Sequence, residues 1–249
     1  MDAGTIKVGD REVFRLGFGA MRITGPSVWG PPADHDEAIR VLRRAVEQGV
    51  QLIDTADAYG PNVSEELIAE ALHPYPDDLV IATKGGKTRP GPGEWPEDGR
   101  PEHLRAACEA SLGRLRLEQI ELYQLHAPDP KVPFEESVGT LKDLRDEGKI
   151  RHVGLSNVTV AELERAEQIV PVVSVQNLYN ADDRSSEDVL EACERRGIAF
   201  MPWFPLGGVG RAPVESLVDL LRHSPVMLPI PGTSSVVHLE ENMRAGQLA

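Results

Sequence analysis

The chain has 249 residues, of which 41% are hydrophobic, and 40 acidic residues against 26 basic ones leave a formal net charge of −14. Such an acidic surface repels polyphosphate, which argues against nucleic acid as a partner. No apolar run has the length of a transmembrane helix, and the size suits one large barrel or two ordinary domains.

The termini and the cysteines indicate a reducing compartment. No basic segment followed by an apolar one opens the chain, so no signal peptide is predicted. Cys108 and Cys193 fall on apolar positions of predicted helices and are expected to be buried free thiols rather than a disulfide or a metal pair. We therefore expect a cytoplasmic protein without a metal site, and take a monomer as the default oligomeric state.

Strand-like and helix-like runs alternate along the chain after an N-terminal hairpin, in which the turn Gly9-Asp10 separates residues 5–8 from 12–14. Eight strands are predicted at residues 16–20, 52–55, 79–83, 120–125, 150–155, 172–176, 199–204 and 226–230. The helices between and after them are predicted at residues 36–48, 65–72, 101–115, 133–147, 159–169, 186–196, 213–223 and 236–245.

Local signals support several helix boundaries. Thr159 and Glu162 form a capping box at the start of one helix, and Gly197 ends the next one. Ser64 is the predicted N-cap of the helix that begins at residue 65.

Eight strand–helix units without a linker predict a (β/α)8 TIM barrel, because parallel strands need such crossovers and eight units of roughly 250 residues close on themselves. We expect one domain over residues 1–249. The alternative is a doubly wound open sheet, which usually carries a glycine-rich phosphate motif after its first strand. Here Gly17-Phe-Gly19 lacks the third glycine at the required spacing.

Polar side chains follow three successive predicted strands. Asp54, Lys84 and His126 lie at the C-terminal ends of strands two, three and four, and Tyr59 lies in the loop after Asp54. Adjacent strands are ~4.8 Å apart, and barrel active sites lie at this rim, so these four side chains are expected to converge.

The four groups suit proton donation to a carbonyl oxygen. A free tyrosine has a pKa near ~10. The Lys84 ammonium is expected to lower the pKa of Tyr59, Asp54 to keep Lys84 charged, and His126 to orient the carbonyl. A hydride must come from elsewhere, which implies a nicotinamide cofactor.

Other polar and aromatic residues of the sequence have ordinary structural interpretations. Asp57 is expected to cap a turn or to be solvated, and Lys87 to be a solvated loop residue. Trp29, Trp95 and Phe204 either line an apolar pocket for a planar ring or, for the two tryptophans, pack only their own loops. Taken one at a time, Asp54, Tyr59, Lys84 and His126 could also have ordinary structural roles. Their joint position at consecutive strand ends favours a catalytic function.

The sequence resembles the aldo-keto reductases over residues 16–242, through motifs that are weak singly and specific together. They are Asp54-x4-Tyr59-Gly60, Ala82-Thr-Lys84, Gln124-Leu-His126, Gly154-Leu-Ser-Asn157, Ser174-Val-Gln-Asn177 and Ile230-Pro-Gly-Thr233. Residues 19–32, 204–208 and 230–235 are similar to a narrower branch that includes pyridoxal reductases (pyridoxine 4-dehydrogenases).

The resemblance implies reduction of an aldehyde or ketone, such as pyridoxal, by NADPH, with NADH as the alternative cofactor. It assigns Ser156, Asn157 and Gln176 to the nicotinamide carboxamide and Trp203 to the nicotinamide ring. The other positions that it implies for the cofactor are Met21, Leu206, Gly207 and Gly208 at the pyrophosphate loop and nearby, Gly232, Thr233, Ser234 and His238 near the 2′-phosphate, and Glu241 and Asn242 near the adenine.

Two departures from the family pattern concern the cofactor. His238 stands where many members place a cation, and Gly232 replaces a possible lysine. Between Gly208 and Pro225 the chain offers one helix where the family usually has two, and it stops soon after Asn242. We expect a barrel shortened around strands seven and eight and at the C-terminus.

Two other functions remain open. The shortened region motivates a nicotinamide-binding barrel with a regulatory role and no turnover. Lys84 and His126 alone would also suit an isomerase or lyase that works by proton abstraction, although that reading leaves the cofactor motifs unexplained.

Overall fold

The computed structural model describes residues 3–207 and 212–249. The predicted hairpin is present: β1 (Thr5–Val8) pairs antiparallel with β2 (Arg11–Phe14), and Gly9 in the turn has a φ of +67°. Val8 and Val13 are buried against Leu52 and Leu122, so the hairpin covers the N-terminal end of the barrel interior.

Seven parallel strands form one sheet in chain order. They are β3 (Phe18–Gly19), β4 (Leu52–Asp54), β5 (Val80–Gly85), β6 (Ile120–Leu125), β7 (Ile150–Ser156), β8 (Val172–Gln176) and β9 (Ala199–Phe200). The helices are α1 (His35–Glu47), α2 (Val63–Leu72), α3 (Pro101–Leu115), α4 (Phe134–Asp146), α5 (Val160–Glu167), α6 (Glu187–Arg196), α7 (Pro213–His223), α8 (Val236–Met243) and α9 (Ala245–Leu248). Short 3-10 helices span Ala20–Ile23 and Pro26–Val28.

The chain after α7 closes the sheet into a barrel. On one side, Phe200 donates its backbone N–H to Val226 and accepts one from Leu228, at 2.9 and 2.8 Å. On the other side, Gly17 donates to the Pro229 carbonyl at 2.9 Å. Because both edges of the sheet meet the same segment, the predicted (β/α)8 barrel is confirmed and the open doubly wound sheet is excluded.

The predicted eighth strand lies where it was expected, but it is not a regular strand. Residues 226–230 form only an isolated parallel bridge, between Phe200 and Met227, rather than a continuous ladder. The physical reason is proline: Pro229 and Pro231 have no N–H and can only accept, which they do from Gly17 and Gly19.

Helix boundaries follow the sequence with one correction. The capping box of Thr159 and Glu162 is present at the start of α5. Ser64 is not an N-cap, because α2 begins one residue before it, after Asn62 with a φ of 71°. The Ser64 hydroxyl is instead buried and lies 2.8 Å from that of Thr55.

The helices pack their apolar faces on the outside of the barrel. Cys108 in α3 and Cys193 in α6 are free and buried, as predicted. Burial raises the pKa of both thiols to about 12. Helix α7 is the one helix predicted between strand seven and the closing segment, and its Leu217 and Leu221 join the same core as Leu239 and Met243 of α8. No helix within residues 3–207 and 212–249 is long and apolar enough to cross a membrane.

Candidate active site

The four predicted catalytic side chains meet at the C-terminal rim of the barrel. Asp54 ends β4 and Lys84 lies near the end of β5, and all four side chains are buried. The Lys84 Nζ atom donates to Asp54 Oδ2 at 2.7 Å, to the Thr55 carbonyl at 2.8 Å and to the Tyr59 hydroxyl at 3.3 Å. One ammonium therefore joins the carboxylate to the phenol.

Two glutamines hold the other oxygen of the Asp54 carboxylate. Gln124 Nε2 donates to Asp54 Oδ1 at 3.1 Å and Gln176 Nε2 at 2.9 Å. The sequence interpretation had no role for Gln124 in the site. For Gln176 it expected the nicotinamide carboxamide, whereas this amide N–H points to Asp54. The sequence did contain a signal for this contact, because both glutamines lie near the C-terminal ends of predicted strands, at the same rim as Asp54.

Burial and the neighbouring groups together set the protonation states of Tyr59 and Lys84. Burial raises the pKa of the Tyr59 phenol above its ordinary value, and the nearby Lys84 charge, which lowers it, offsets only part of that effect. The expectation of a net lowering is thus wrong, although the sign of the Lys84 contribution is right. Burial lowers the pKa of Lys84, but Asp54 and Tyr59 raise it by more than burial lowers it, so the ammonium stays charged.

His126 is neutral and has an unused ring nitrogen. Its ring lies edge-on to that of Tyr59, with 5.9 Å between centroids. Burial, followed by the charges of Lys84 and Lys87, holds the pKa of His126 well below its usual range. Among the described residues, its buried Nδ1 atom has no hydrogen-bond partner.

A cavity of about 700 Å³ opens above these groups and contains Asp54, Tyr59 and His126 in its wall. It runs to Gly19, which pairs with Asp54 in the sheet, and to Pro231, which accepts the backbone N–H of Gly19. The residues predicted to bind the cofactor that line it are Met21, Ser156, Asn157, Gln176, Trp203, Leu206, Gly207 and Gly232.

The remaining predicted cofactor residues lie elsewhere. Gly208 is outside the described residues. Ser234 lines an adjoining cavity of about 400 Å³. The residues that line neither of these two cavities are Thr233, His238, Glu241 and Asn242.

An acidic side chain occupies the start of α8, where the sequence interpretation expected a 2′-phosphate. Glu37 Oε1 accepts the backbone N–H of Val236 at 3.0 Å. Thr233 Oγ1 accepts the N–H of Ser235 at 3.1 Å. Two of the N–H groups at this helix start therefore already have partners within the chain.

Asn157, which follows β7, connects residues that follow β6 and β9. Its Oδ1 atom accepts from Trp203 Nε1 at 3.0 Å, and its Nδ2 atom donates to the His126 carbonyl at 3.0 Å. The backbone of Asn157 has a φ of 59°, a region that asparagine tolerates better than most residues. Trp203 is thereby held by its polar edge, while 37% of its surface remains exposed.

Arg89 is a site residue that the sequence did not reveal. It is buried, and its guanidinium lies 3.6 Å from the centroid of the Trp95 ring and 5.4 Å from that of Trp29. It donates to the carbonyls of Val28 and Ala58 at 3.0 and 2.9 Å. Three loops of the rim are joined by this one side chain, and nothing in the sequence distinguishes it from other loop arginines.

Two further expectations are corrected. Lys87 is not solvated: its side chain is 15% exposed and forms a 2.7 Å ion pair with Glu97 in the cavity wall. Of the two expectations for Asp57, solvation is wrong: the residue is buried, and burial, followed by the charge of Glu65, raises its pKa to about 8. Trp95 lines the cavity and contacts Tyr59 edge-on.

The cavity fits a planar ring that bears a carboxamide. Trp203 and Phe204 are large apolar side chains that remain exposed in its wall, where a flat ring could cover them. Ser156 and Gln176 line the same cavity, where the Ser156 hydroxyl and the Gln176 side-chain oxygen supply polar atoms for a carboxamide. The residues present are therefore compatible with nicotinamide.

Comparison with known proteins agrees with this geometry. The family model described as "Aldo/keto reductase family" matches residues 15–214. The chain belongs to the aldo/keto reductase family. It is an oxidoreductase of the kind that uses a nicotinamide cofactor.

Relatives match along nearly the whole chain. An uncharacterized oxidoreductase of Schizosaccharomyces pombe is 50% identical over 260 residues, which cover 98% of this chain and 85% of that protein. Pyridoxine 4-dehydrogenase of Escherichia coli is 40% identical over 271 residues, which cover 100% of this chain and 94% of that protein. The solved glycerol dehydrogenase of Gluconobacter oxydans is 25% identical, with a TM-score of 0.85 and coverage of 98% and 90%.

Proposed function

We propose that this protein reduces an aldehyde or ketone to an alcohol with NADPH, that its substrate is pyridoxal, and that Tyr59 is the proton donor. The observation that carries the proposal is the buried Lys84, which contacts both Asp54 and Tyr59 beneath a cavity that fits nicotinamide. The full described chain acts as one catalytic domain, and its two buried free thiols suit the cytoplasm.

Tyr59 is suited to donate because it is protonated at neutral pH. Burial raises the pKa of its phenol, so the proton is present when a carbonyl oxygen approaches. Once the proton has moved to that oxygen, the phenolate left behind faces the Lys84 ammonium at 3.3 Å, and Asp54 keeps that ammonium charged and oriented. The cofactor supplies the hydride when it is bound.

His126 positions the substrate oxygen. A neutral imidazole next to Tyr59 in the cavity wall can hydrogen-bond the carbonyl without competing as an acid. The Asn157 amide holds the backbone carbonyl of His126 and also accepts from Trp203, so one residue supports both the His126 backbone and the Trp203 ring.

NADPH rather than NADH is supported by Arg22. This exposed cation lines both the main cavity, beside Gly232, and the adjoining one, beside Ser234. A phosphate at this junction would meet a guanidinium, which compensates for the missing lysine and for the acid Glu37 at the start of α8.

The choice of pyridoxal comes from the Escherichia coli relative, whose name states that it acts on pyridoxine. A planar pyridine ring also suits the part of the cavity where Trp95 contacts the proton donor Tyr59.

The proposal is tested by Tyr59→Phe. We expect the rate of NADPH oxidation with pyridoxal to fall by about 10²- to 10⁴-fold, because the general acid is lost. Cofactor affinity, followed by quenching of tryptophan fluorescence, should stay nearly unchanged. An unaltered rate would refute Tyr59 as the donor. If the folded wild-type protein oxidised no NADPH with any aldehyde of a broad panel, a cofactor-binding barrel without turnover would replace the proposal.

A further inference from the structure

The adjoining cavity of about 400 Å³ continues the main one, because Met21 and Arg22 line both. The Arg22 side chain lies against the closing segment of the barrel, since a Cβ atom at Gly232 would be 3.5 Å from Arg22 Cγ. A nicotinamide dinucleotide carries its nicotinamide and its adenosine at opposite ends of a pyrophosphate. With the nicotinamide in the main cavity, the adjoining cavity offers space for the adenosine ribose.

Charges of both signs line the adjoining cavity. The Arg22 guanidinium is exposed and, among the described residues, has no ion-pair partner. The side chain of Glu37, from α1, also lines this cavity and is 27% exposed. A 2′-phosphate is attracted by a guanidinium and repelled by a carboxylate, whereas a 2′-hydroxyl can donate to a carboxylate. The two side chains therefore act in opposite directions on the choice between NADPH and NADH.

The Glu37 carboxylate is fixed in position and charged. Its Oε1 atom accepts the backbone N–H of Val236, the first residue of α8, at 3.0 Å. Its Oε2 atom lies 2.7 Å from the Arg40 guanidinium. These contacts, the Val236 N–H first, hold the pKa of Glu37 below its ordinary value. The negative charge is thus present at neutral pH and cannot easily turn away.

This charge changes what the start of α8 offers to an anion. The N–H groups and the dipole of a helix start normally favour a phosphate. Here a carboxylate from another helix already occupies the Val236 N–H and reduces that positive potential. The attraction of a phosphate to this end of the cavity therefore depends more heavily on Arg22.

We propose that Glu37 limits the preference of this enzyme for NADPH over NADH, so that both cofactors are used. Its carboxylate opposes the 2′-phosphate of NADPH, and Arg22 attracts that phosphate. The inference rests on the proposed function and deepens it, because it concerns the cofactor that the same site holds.

Glu37 also joins α1 to α8, but that structural role does not require its charge. A glutamine has a side-chain oxygen that can accept the same Val236 N–H. The ion pair with Arg40, whose side chain is 59% exposed, adds little to stability. Helix packing and charge can therefore be separated by experiment.

The test measures the Kd of NADP⁺ and of NAD⁺ by quenching of tryptophan fluorescence, without a carbonyl substrate. In Glu37→Gln, we expect the Kd for NAD⁺ divided by that for NADP⁺ to rise about three- to tenfold, because a charge that repels the phosphate is removed. The rise should shrink at about 1 M salt, which screens charges beyond ~3 Å. An unchanged ratio would overturn this inference alone, whereas a folded protein that reduces no carbonyl would overturn the proposed function alone.

Two further variants separate the charge of Glu37 from other effects. Arg40→Gln breaks the same ion pair but keeps the Glu37 charge, so we expect the Kd ratio to stay at or below the wild-type value. Glu47→Gln removes a charge farther along α1, paired with Arg44 at 3.1 Å, and should leave the ratio unchanged. A rise in either variant equal to that of Glu37→Gln would show that the charge of Glu37 does not act on the phosphate, and would also overturn the inference.

Discussion

The Lys84 ammonium can remain charged although it is fully buried, because hydrogen-bond acceptors surround it. Asp54, the Thr55 carbonyl and the Tyr59 hydroxyl take its three N–H donors. A buried ion pair gains little over apolar packing, but the loss of one partner leaves an uncompensated charge, typically at a cost of about 3–5 kcal/mol. Since Asp54 is itself held by two glutamines, the catalytic geometry depends on a connected polar network.

Asp57 is a second buried carboxyl at the rim, and the proposed mechanism does not use it. Glu65, Arg114 and Lys84 act on it, but burial dominates and raises its pKa to about 8. In the unfolded chain an aspartate titrates near ~3.9. Between these values the folded state holds a proton that the unfolded state releases, so this group lowers the stability of the fold as pH rises from about 4 to 8.

Asp57→Asn should remove this pH dependence. An amide cannot ionise, so we expect the variant to gain in melting temperature relative to the wild type from pH 5 to pH 8, by an amount that corresponds to a few kcal/mol at most. Thermal denaturation at several pH values measures it. Asp77→Asn, at an exposed position before β5, is the matched control and should show no such trend. A constant difference between Asp57→Asn and wild type would contradict the assignment.

At the scale of elements, the loop between β5 and α3 shapes the substrate end of the cavity. It carries Lys87, Arg89, Trp95 and Glu97, and Arg89 ties it to the carbonyls of the two loops that contain Val28 and Tyr59. Arg89 stacks on an aromatic ring and donates hydrogen bonds to two carbonyl oxygens at once. The loop therefore depends on the planar guanidinium group and not on positive charge alone.

Arg89→Lys is therefore expected to be damaging although it keeps the charge. We expect KM for the aldehyde to rise about tenfold, by the loss of one or two hydrogen bonds and the stacking, with a smaller change in kcat because the Lys84 network is not touched. Steady-state kinetics separate the two constants. Arg105→Lys, on the outer face of α3, should leave both unchanged; an equal result for the two variants would show that Arg89 does not position the loop.

At the scale of the whole molecule, barrel closure brings β3 against the closing segment after α7. A Cβ atom at Gly19 would lie 2.6 Å from the Ile230 carbonyl oxygen, and one at Gly232 would lie 2.5 Å from that of Gly19. Both contacts are with backbone, which cannot move aside without opening the barrel. Gly19 and Gly232 thus allow the backbones to approach closely enough to close the barrel. Pro229 and Pro231 limit the hydrogen bonds that the closing segment can form.

Gly19→Ala should weaken this closure. We expect a loss of about 1–3 kcal/mol in the free energy of unfolding, because the added methyl group overpacks the seam. Urea denaturation followed by circular dichroism measures the loss. The control is Gly113→Ala in α3, where no atom lies within 4 Å of the added Cβ, and which should gain about 0.5–1 kcal/mol. A neutral Gly19→Ala would show that the seam adapts.

Most of the fold and part of the site followed from local patterns. Hydrophobic periodicity and caps predicted the hairpin, the eight units and the α5 boundary, because those signals act within a few residues. The rule that parallel strands present their C-terminal ends together was enough to unite Asp54, Lys84 and His126. The Ser64 cap failed because a buried contact with Thr55 outweighed the local preference.

The amino-acid sequence was enough to predict the barrel, from its alternating strand and helix patterns, and the set of Asp54, Tyr59, Lys84 and His126, from polar residues at strand ends. The raised pKa of Tyr59 and of Asp57, the Arg89 contacts and the Lys87–Glu97 pair in the cavity wall could be seen only in the folded molecule. The physical reason is that burial and pairing depend on which loops pack over the rim. Those loops come from distant parts of the chain, and no local pattern records their contacts.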